Sequence, residues 1–545
     1  MDRRRLLKGM AIGLSSMYLP KGYAGQLLNA PYAAGRFKPT WDSLAQYEVP
    51  EWFRDAKFGM WAHWGPQCQP EYGDWYAREM YMEGGRKYKH HVEKYGHPSK
   101  FGFKDVINEW KAELWDPEEL VSLYKKAGAK YFMALANHHD NMDLWDSKYQ
   151  KWNSVRMGPK KDLIAGWAKA AKNNDLRFAV SVHAAHAWSW METAQRADKS
   201  GPLAGVPYDG KLATADGSGK WWEGEDPQEL YAQDHALSKN SQDNGMIHSQ
   251  WAWGNGVSVP TKAYCEKFYK RTIELLDKYE PDGIYFDDTV LPLWPISDAG
   301  LRIAAHMYNT SIKRHGKLEA VLFGKILNEQ QRKCMIWDIE RGQSNAIEPE
   351  PWQTDTCIGN WHYERSLYDN NQYKSAKTVV HTLLDVVSKN GNLMLNIPVR
   401  GNGSIDDKER AVVEGIAAWM QRNSESIYGT RPWTVFGEGP TIEGAAPLSA
   451  QGFNEGKNKP FTAADFRFTK KGNVLYAAML DWPVNKQALI KKLALNSVPK
   501  VQRVSLLGSD APLEFTQTTE GLNIQLPEMP QGSIAYVFKI NGAIA

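Results

Sequence analysis

Apolar residues recur along this chain with two alternating periods. Between about residues 37 and 433, segments of helical spacing lead repeatedly into short continuous apolar runs of the buried-strand type. Asp116-Pro117-Glu118-Glu119 offers an N-cap, a proline at the first helical position and an acidic first turn. Leu120, Val121 and Tyr124 continue it as an apolar stripe, Gly128 stops it, and residues 131–136 predict a strand. The unit returns when Asp162 caps a segment carrying Ile164, Trp167, Ala168 and Ala171 before a strand over 177–183. It returns again when Tyr264, Phe268, Leu275 and Leu276 share one helix face before a strand over 283–286. Such repetition predicts a parallel α/β fold, a (β/α)8-like (TIM) barrel over residues 36–430 with long inserted loops. One insertion is 208–260, rich in Gly, Asp, Trp and Gln. From 431 to 545 the period changes. Short alternating runs at 474–479, 501–506, 522–526 and 534–538, separated by Gly, Pro, Asn and Asp, predict a C-terminal antiparallel β-sandwich. It carries no chemical cluster and reads as a packing or accessory module.

Composition narrows the function classes. With 42% hydrophobic and 24% charged residues, the chain has ample core material and is neither disordered, collagen-like nor a multispan membrane protein. Lys+Arg at 66 against Asp+Glu at 63, with no long single-sign run, argues against a dedicated nucleic-acid binder. Arg3-Arg4-Arg5-Leu6-Leu7-Lys8, an apolar run over 10–19 and small residues at Ala24-Gly25 predict a twin-arginine-like export signal over 1–24. That signal implies a bacterial, periplasmic protein folded before export, and its apolar run is too short to span a bilayer. Cys68, Cys265, Cys334 and Cys357 show no CxxC spacing, so free thiols or at most one bridge are expected, and no zinc site. Tryptophan is over-represented, 23 against 17 Phe. Most indoles fill cores, but indole faces also stack on sugars, a weak pointer to carbohydrate.

The chemistry lies where the strands end. Met60-Trp61-Ala62 runs into His63, and residues 132–136 run into Asn137-His138-His139-Asp140. Residues 178–182 end at His183, Ile284-Tyr285-Phe286 at Asp287-Asp288, and Met335-Ile336-Trp337 at Asp338-Ile339-Glu340. In a parallel barrel the carboxyl ends of the strands converge on the active site. A metal-dependent hydrolase would want His-x-His on the first strand, which is absent. The adjacent His138 and His139 would point to opposite faces of a strand and make a poor chelate unless a bulge re-aims one. A serine hydrolase would want a G-x-S-x-G elbow, also absent. Two carboxylates surrounded by histidines and aromatics suit glycoside hydrolysis.

Longer motifs carry a resemblance. The first is Trp52-Phe53-Arg54-Asp55-Ala56-Lys57-Phe58-Gly59-Met60-Trp61-Ala62-His63-Trp64-Gly65, followed by Asp74-Trp75-Tyr76 and Ala127-Gly128-Ala129-Lys130-Tyr131. Next come His138-His139-Asp140, Trp152-Asn153-Ser154 and Gly158-Pro159-Lys160-Lys161-Asp162. Val387-Ser388-Lys389-Asn390-Gly391-Asn392-Leu393-Met394-Leu395-Asn396 and Ile427-Tyr428-Gly429-Thr430-Arg431-Pro432-Trp433 close the series. In this order they resemble the glycoside hydrolase family 29 α-L-fucosidases.

The resemblance implies a retaining exo-glycosidase that needs no cofactor or metal and acts on a fucosylated oligosaccharide or polysaccharide. The family's nucleophile, an aspartate after a Tyr-x-Pro-Asp segment, falls on Asp287, with Asp288 turned aside. Its acid/base falls on Glu340, with Glu348 and Glu350 as rivals. Sugar contacts carry over to His63, Asp74, Trp75, His138, His139, Tyr285 and Trp361. Asp74 stands where many relatives have Glu. Ser181-Val182-His183 replaces a tyrosine pair, so His183 either takes over a hydroxyl contact or packs structurally. That altered wall leaves α-L-galactose open beside α-L-fucose. A non-catalytic carbohydrate-binding protein would lack a carboxylate, and both are present.

Overall fold

The computed structural model describes residues 27–544, apart from 233–234, 240, 244–252, 254–255, 444–451, 456–459, 510 and 531–533. The expected export segment, 1–24, lies outside the described residues. Eight strands close a parallel barrel: β1 (Phe58–Ala62), β2 (Tyr131–Asn137), β3 (Arg177–Val182), β4 (Gly283–Thr289), β5 (Val321–Lys325), β6 (Ile336–Glu340), β7 (Trp352–Cys357) and β8 (Gly391–Asn396). Each pairs with the next, and β8 returns to β1 with Phe58 opposite Leu393. Strands β1, β2, β7 and β8 are buried along their whole length. Helices outside and packed side chains inside cover both faces, which is why these strands read as continuous apolar runs.

The helices start where their caps sit. Asp116 accepts from the N–H groups of Glu118 and Glu119, both at 3.0 Å, and opens α1 (Pro117–Lys126). Asp162 does the same for α2 (Leu163–Asn173) through Ala165 N at 2.9 Å. Gly128, at φ +102°, ends the α1 turn with no Cβ penalty. A side chain there would strike the Tyr428 hydroxyl, which itself donates to the Gly128 carbonyl. Three longer helices, α3 (Lys262–Tyr279), α4 (Ala299–His315) and α5 (Ala376–Ser388), pack outside the later strands, and α6 (Asp407–Asn423) closes the barrel region. No helix among the described residues is long and apolar enough to cross a membrane. All four cysteines are buried and none is bridged.

Beyond the barrel lie two antiparallel sheets. One runs in the order β13 (Arg503–Leu506), β16 (Tyr536–Asn541), β11 (Val474–Met479), β10 (Phe466–Lys471), β9 (Arg431–Glu438); the other is β12 (Gln487–Ile490), β15 (Leu522–Gln525), β14 (Phe515–Gln517). Phe468, Leu475, Val504 and Phe538 from the first sheet share one core with Ile490, Leu522 and Ile524 from the second, which makes a sandwich.

A buried ion triad ties sandwich to barrel. Asp385 on α5 accepts from Lys389 Nζ at 2.7 Å and from Arg467 Nε of β10 at 2.6 Å. All three side chains are at most 7% exposed, so removing the carboxylate strands two desolvated cations. Asp385→Ala should therefore cost about 3–5 kcal/mol. Thermal unfolding of the full chain checks this; an unchanged Tm would show that the triad is dispensable.

Candidate active site

Two irregularities in the sheet aim the site. Strand β4 holds two more residues than β5 between the pairs Tyr285–Phe323 and Thr289–Lys325. The resulting bulge separates two adjacent aspartates. Asp287 turns into the barrel mouth, where Oδ2 meets His139 Nε2 at 3.0 Å and His183 Nδ1 at 3.2 Å, and Oδ1 accepts from Lys325. Asp288 turns outward to His186 Nε2 at 3.0 Å and to its neighbour Thr289 N. Strand β2 carries one extra residue against β3 between Leu135 and Asn137. The chain then leaves the sheet, so His138 and His139 sit in the following turn with ring centroids 4.4 Å apart. The exception allowed from sequence, a bulge that re-aims one of these neighbours, is the case found: strand alternation ends at Asn137.

Polar scaffolding fixes the remaining walls. Asn396, at the end of β8, accepts from His63 N at 2.8 Å and donates to the Trp361 carbonyl at 2.9 Å, placing two expected sugar contacts with one amide. Asp74 accepts from the backbone N–H of His362 at 2.7 Å. Gln67 donates to His138 Nδ1 and Asp140, and the His183 carbonyl meets His139 Nδ1 at 2.8 Å. Arg271 of α3 grips Asp143 and Asn141, which holds the β2 turn from behind. His63 lies 4.8–5.2 Å, centroid to centroid, from the rings of His138, His183 and His362, and Trp361 stands 5.6 Å away. Tyr285 forms the floor beneath them, 5.1 Å from Trp61. Trp75 caps the short helix Tyr76–Glu79 in a left-handed conformation, one residue after Asp74.

Burial and neighbours set the charges. Burial opposes a charge on Asp287, but Lys325, His139 and His183 outweigh it and hold the carboxyl well below the ordinary range. Glu340 moves the other way: burial raises it, with the Asp287 charge adding and Lys325 opposing. The two side chains are each 18% exposed, so both reach the mouth. Burial also drives His63 and His138 far below their usual value, helped by neighbouring histidines, and brings His183 down to about 4. The rings at His63 and His138 are neutral at pH 7. Both nitrogens of His63, Nε2 of His183 and Nε2 of His362 are buried without a hydrogen-bond partner. Buried polar atoms require partners, and these lie on a cluster of histidines whose ring nitrogens come within 4.8 Å of one another.

Ten residues were expected here from sequence. Asp287, Glu340, His63, His138, His139, His183, Tyr285 and Trp361 converge on the barrel mouth, and Asp74 joins through His362. Trp75 follows it on the rim. His183 binds the carboxylate of Asp287 through Nδ1 and leaves Nε2 unpartnered. Of the rivals to Glu340, Glu348 is engaged by Ser344 and Arg332. Glu340 is the carboxylate that shares Lys325 with Asp287. Lys325, Gln67, His362 and Asp355 were missed. Lys325 closes the run 321–325 as a polar strand end, the same signal that marked the other strands.

The barrel with two carboxylates at its mouth and a β-sandwich behind it defines the class, a glycoside hydrolase. The chain belongs to the alpha-L-fucosidase family, whose model matches residues 26–425, and the alpha-L-fucosidase C-terminal domain matches 458–541. Tissue alpha-L-fucosidase of Rattus norvegicus is 24% identical over 96% of this chain and 95% of its own. The alpha-L-fucosidase of Branchiostoma floridae is 24% identical over 93% and 96%. Among solved structures, Thermotoga maritima alpha-fucosidase superposes with a TM-score of 0.66 at 25% identity, covering 93% of this chain and 100% of that one.

Metal binding has a possible seat. The nitrogens of His63, His138 and His362, and of His138, His139 and His183, lie within 4.8 Å of one another. His139 and His183 are, however, already engaged with Asp287, and Gln67 donates to His138. A divalent ion would compete with these bonds. Dialysis against EDTA should leave glycosidase activity unchanged, and added Zn2+ should inhibit. Activity lost on chelation and restored by metal would reassign the histidines as ligands.

Proposed function

We propose that the chain hydrolyses terminal α-L-fucosyl residues with retention of anomeric configuration. The observation that carries this is the tie between the two carboxylates. Lys325 Nζ bonds an oxygen of Asp287 and, at 2.7 Å, an oxygen of Glu340. One nitrogen bonding both carboxylates holds them close together, which fits the roughly 5–5.5 Å separation of the carboxyl groups in retaining glycosidases. An inverting enzyme needs a wider gap to seat a water between them. Family membership and the near full-length match to alpha-L-fucosidases support fucose as the sugar.

In this reading Asp287 is the nucleophile. His139 and His183 both bond Oδ2 and fix the carboxylate plane. The depressed pKa keeps the group ionised and ready to attack the anomeric carbon. Glu340, with its raised pKa, donates its proton to the departing glycosidic oxygen, then accepts one from the water that releases the sugar. His63, His138, His362 and the free nitrogen of His183 meet sugar hydroxyls, and Trp361 and Trp75 offer apolar faces.

The kcat/KM profile should be bell-shaped. Activity falls at low pH as Asp287 takes a proton and at high pH as Glu340 loses its own. A panel of nitrophenyl α-L-fucoside, α-L-galactoside and β-D-fucoside tests the sugar, with the first expected to be the best substrate. Asp287→Ala should abolish turnover, with azide restoring it. Glu340→Gln should cost about 10²–10⁴-fold on natural glycosides and much less on nitrophenyl substrates, whose leaving groups need no proton. Wild-type activity in Asp287→Ala would sink the assignment. A uniform loss across leaving groups would move the acid role away from Glu340.

A further inference from the structure

The two reacting carboxylates share a counterion that neither the strand-end reading nor the family resemblance supplied. Lys325 ends β5 with its ammonium inside the barrel mouth, and the residue is 7% exposed. From β4 it meets Asp287 and lies 5.6 Å from the centroid of the Tyr285 ring. From β6 it meets Glu340, and Asp338 sits opposite it in register. From β7 comes Asp355, buried, the cross-strand partner of Glu340. His139 and His183 face it across Asp287, and Arg341 acts on Glu340 while pairing with Glu455.

One cation therefore stands among four carboxyls. Burial alone would strip the proton from an amine in this position, but Asp287, Glu340 and Asp355 reverse that and hold Lys325 charged. Burial, with the neighbouring carboxyls adding to it, lifts Asp338 to about 7 and raises Asp355 well above the usual carboxylate range.

Retaining hydrolysis moves one negative charge between those two groups. When an Asp287 oxygen bonds the anomeric carbon, the carbon–oxygen bond to the leaving group breaks and that oxygen takes the Glu340 proton. Asp287 becomes a neutral ester and Glu340 an anion. In the second step water bonds the same carbon, its proton returns to Glu340, and the ester bond breaks to restore the Asp287 carboxylate. Lys325 touches both ends of this transfer.

We propose that Lys325 is a third catalytic residue, a permanently charged counterion that balances Asp287 in the free enzyme and Glu340 in the glycosyl-enzyme without moving along the chain or giving up its proton. In a site shielded from water, a preorganised charge aimed at both positions lowers the barrier without reorganisation. The assignment rests on the retaining reading of Asp287 and Glu340.

The test is the pH profile of Lys325→Met and Lys325→Arg beside the wild type, measured on a nitrophenyl α-L-fucoside. Lys325→Met should lose about 10²–10³-fold in kcat, the scale of one preorganised electrostatic group. Both limbs of its kcat/KM profile should move to higher pH, by about one to three pH units, because both carboxyls lose a cation that stabilised their charged forms. Lys325→Arg should leave both limbs near their wild-type positions. A lysine that only shaped the site would lower activity with the limbs unmoved, and that result in a folded Lys325→Met overturns the proposal. Should Lys325→Met not fold, NMR of wild-type enzyme labelled at the lysine ε-carbons decides. The Lys325 signal, assigned by its absence from Lys325→Arg, should remain that of an ammonium through neutral pH, both free and with the glycosyl-enzyme trapped. Titration near neutrality in either state overturns the proposal. An inactive or inverting wild-type enzyme would instead defeat the retaining fucosidase reading, so the two failures are distinguishable.

Discussion

An ammonium held inside a protein normally surrenders its proton, because burial penalises the charged form. Lys325 keeps its charge only because Asp287, Glu340 and Asp355 surround it. That interaction organises the centre of the molecule. It fixes the spacing of the two mouth carboxylates, and it separates their acidities by lying against both while the histidines side with Asp287 alone. Its partners come from β4, β6 and β7, on both sides of its own strand β5, so the barrel must close in this register for the cluster to exist.

Around that cluster the fold supplies precision in layers. The β4 bulge decides which of two adjacent aspartates enters the mouth, and the extra residue in β2 lets two adjacent histidines share one side. Asn396 positions the His63 backbone and the Trp361 carbonyl from the opposite wall. Farther out, the Asp385 triad seats the sandwich against the barrel.

The strand–helix alternation was legible because period and caps are local properties. Asp116, Asp162 and Gly128 each act within a few residues, and each acts as its sequence suggested. Strand ends were legible for the same reason, which placed Asp287, Glu340 and the histidines. Register was not. Whether His138 and His139 diverge depends on a bulge set by pairing with β3, and the inward turn of Asp287 that the resemblance implied is built by a bulge against β5. No single strand encodes them. Lys325 was missed because a lysine closing an apolar run ordinarily reads as a solvated end. Only the neighbouring strands reveal that it points into a ring of carboxyls. Asp355 was hidden for a similar reason, lying mid-strand in the polar run Gln353-Thr354-Asp355-Thr356. The two-carboxylate reading depended on convergence that only the closed barrel makes visible.

The central claim is that Asp287 becomes covalently attached to the sugar while Glu340 handles the proton. A 2-deoxy-2-fluoro α-L-fucosyl donor with an activated leaving group slows release of the intermediate and allows it to be isolated. Proteolysis and mass spectrometry of the trapped enzyme should find one sugar per chain, on the peptide containing Asp287 and on that residue. A label on Glu340 or on any other carboxylate, or turnover of the donor with no covalent adduct, would contradict the account.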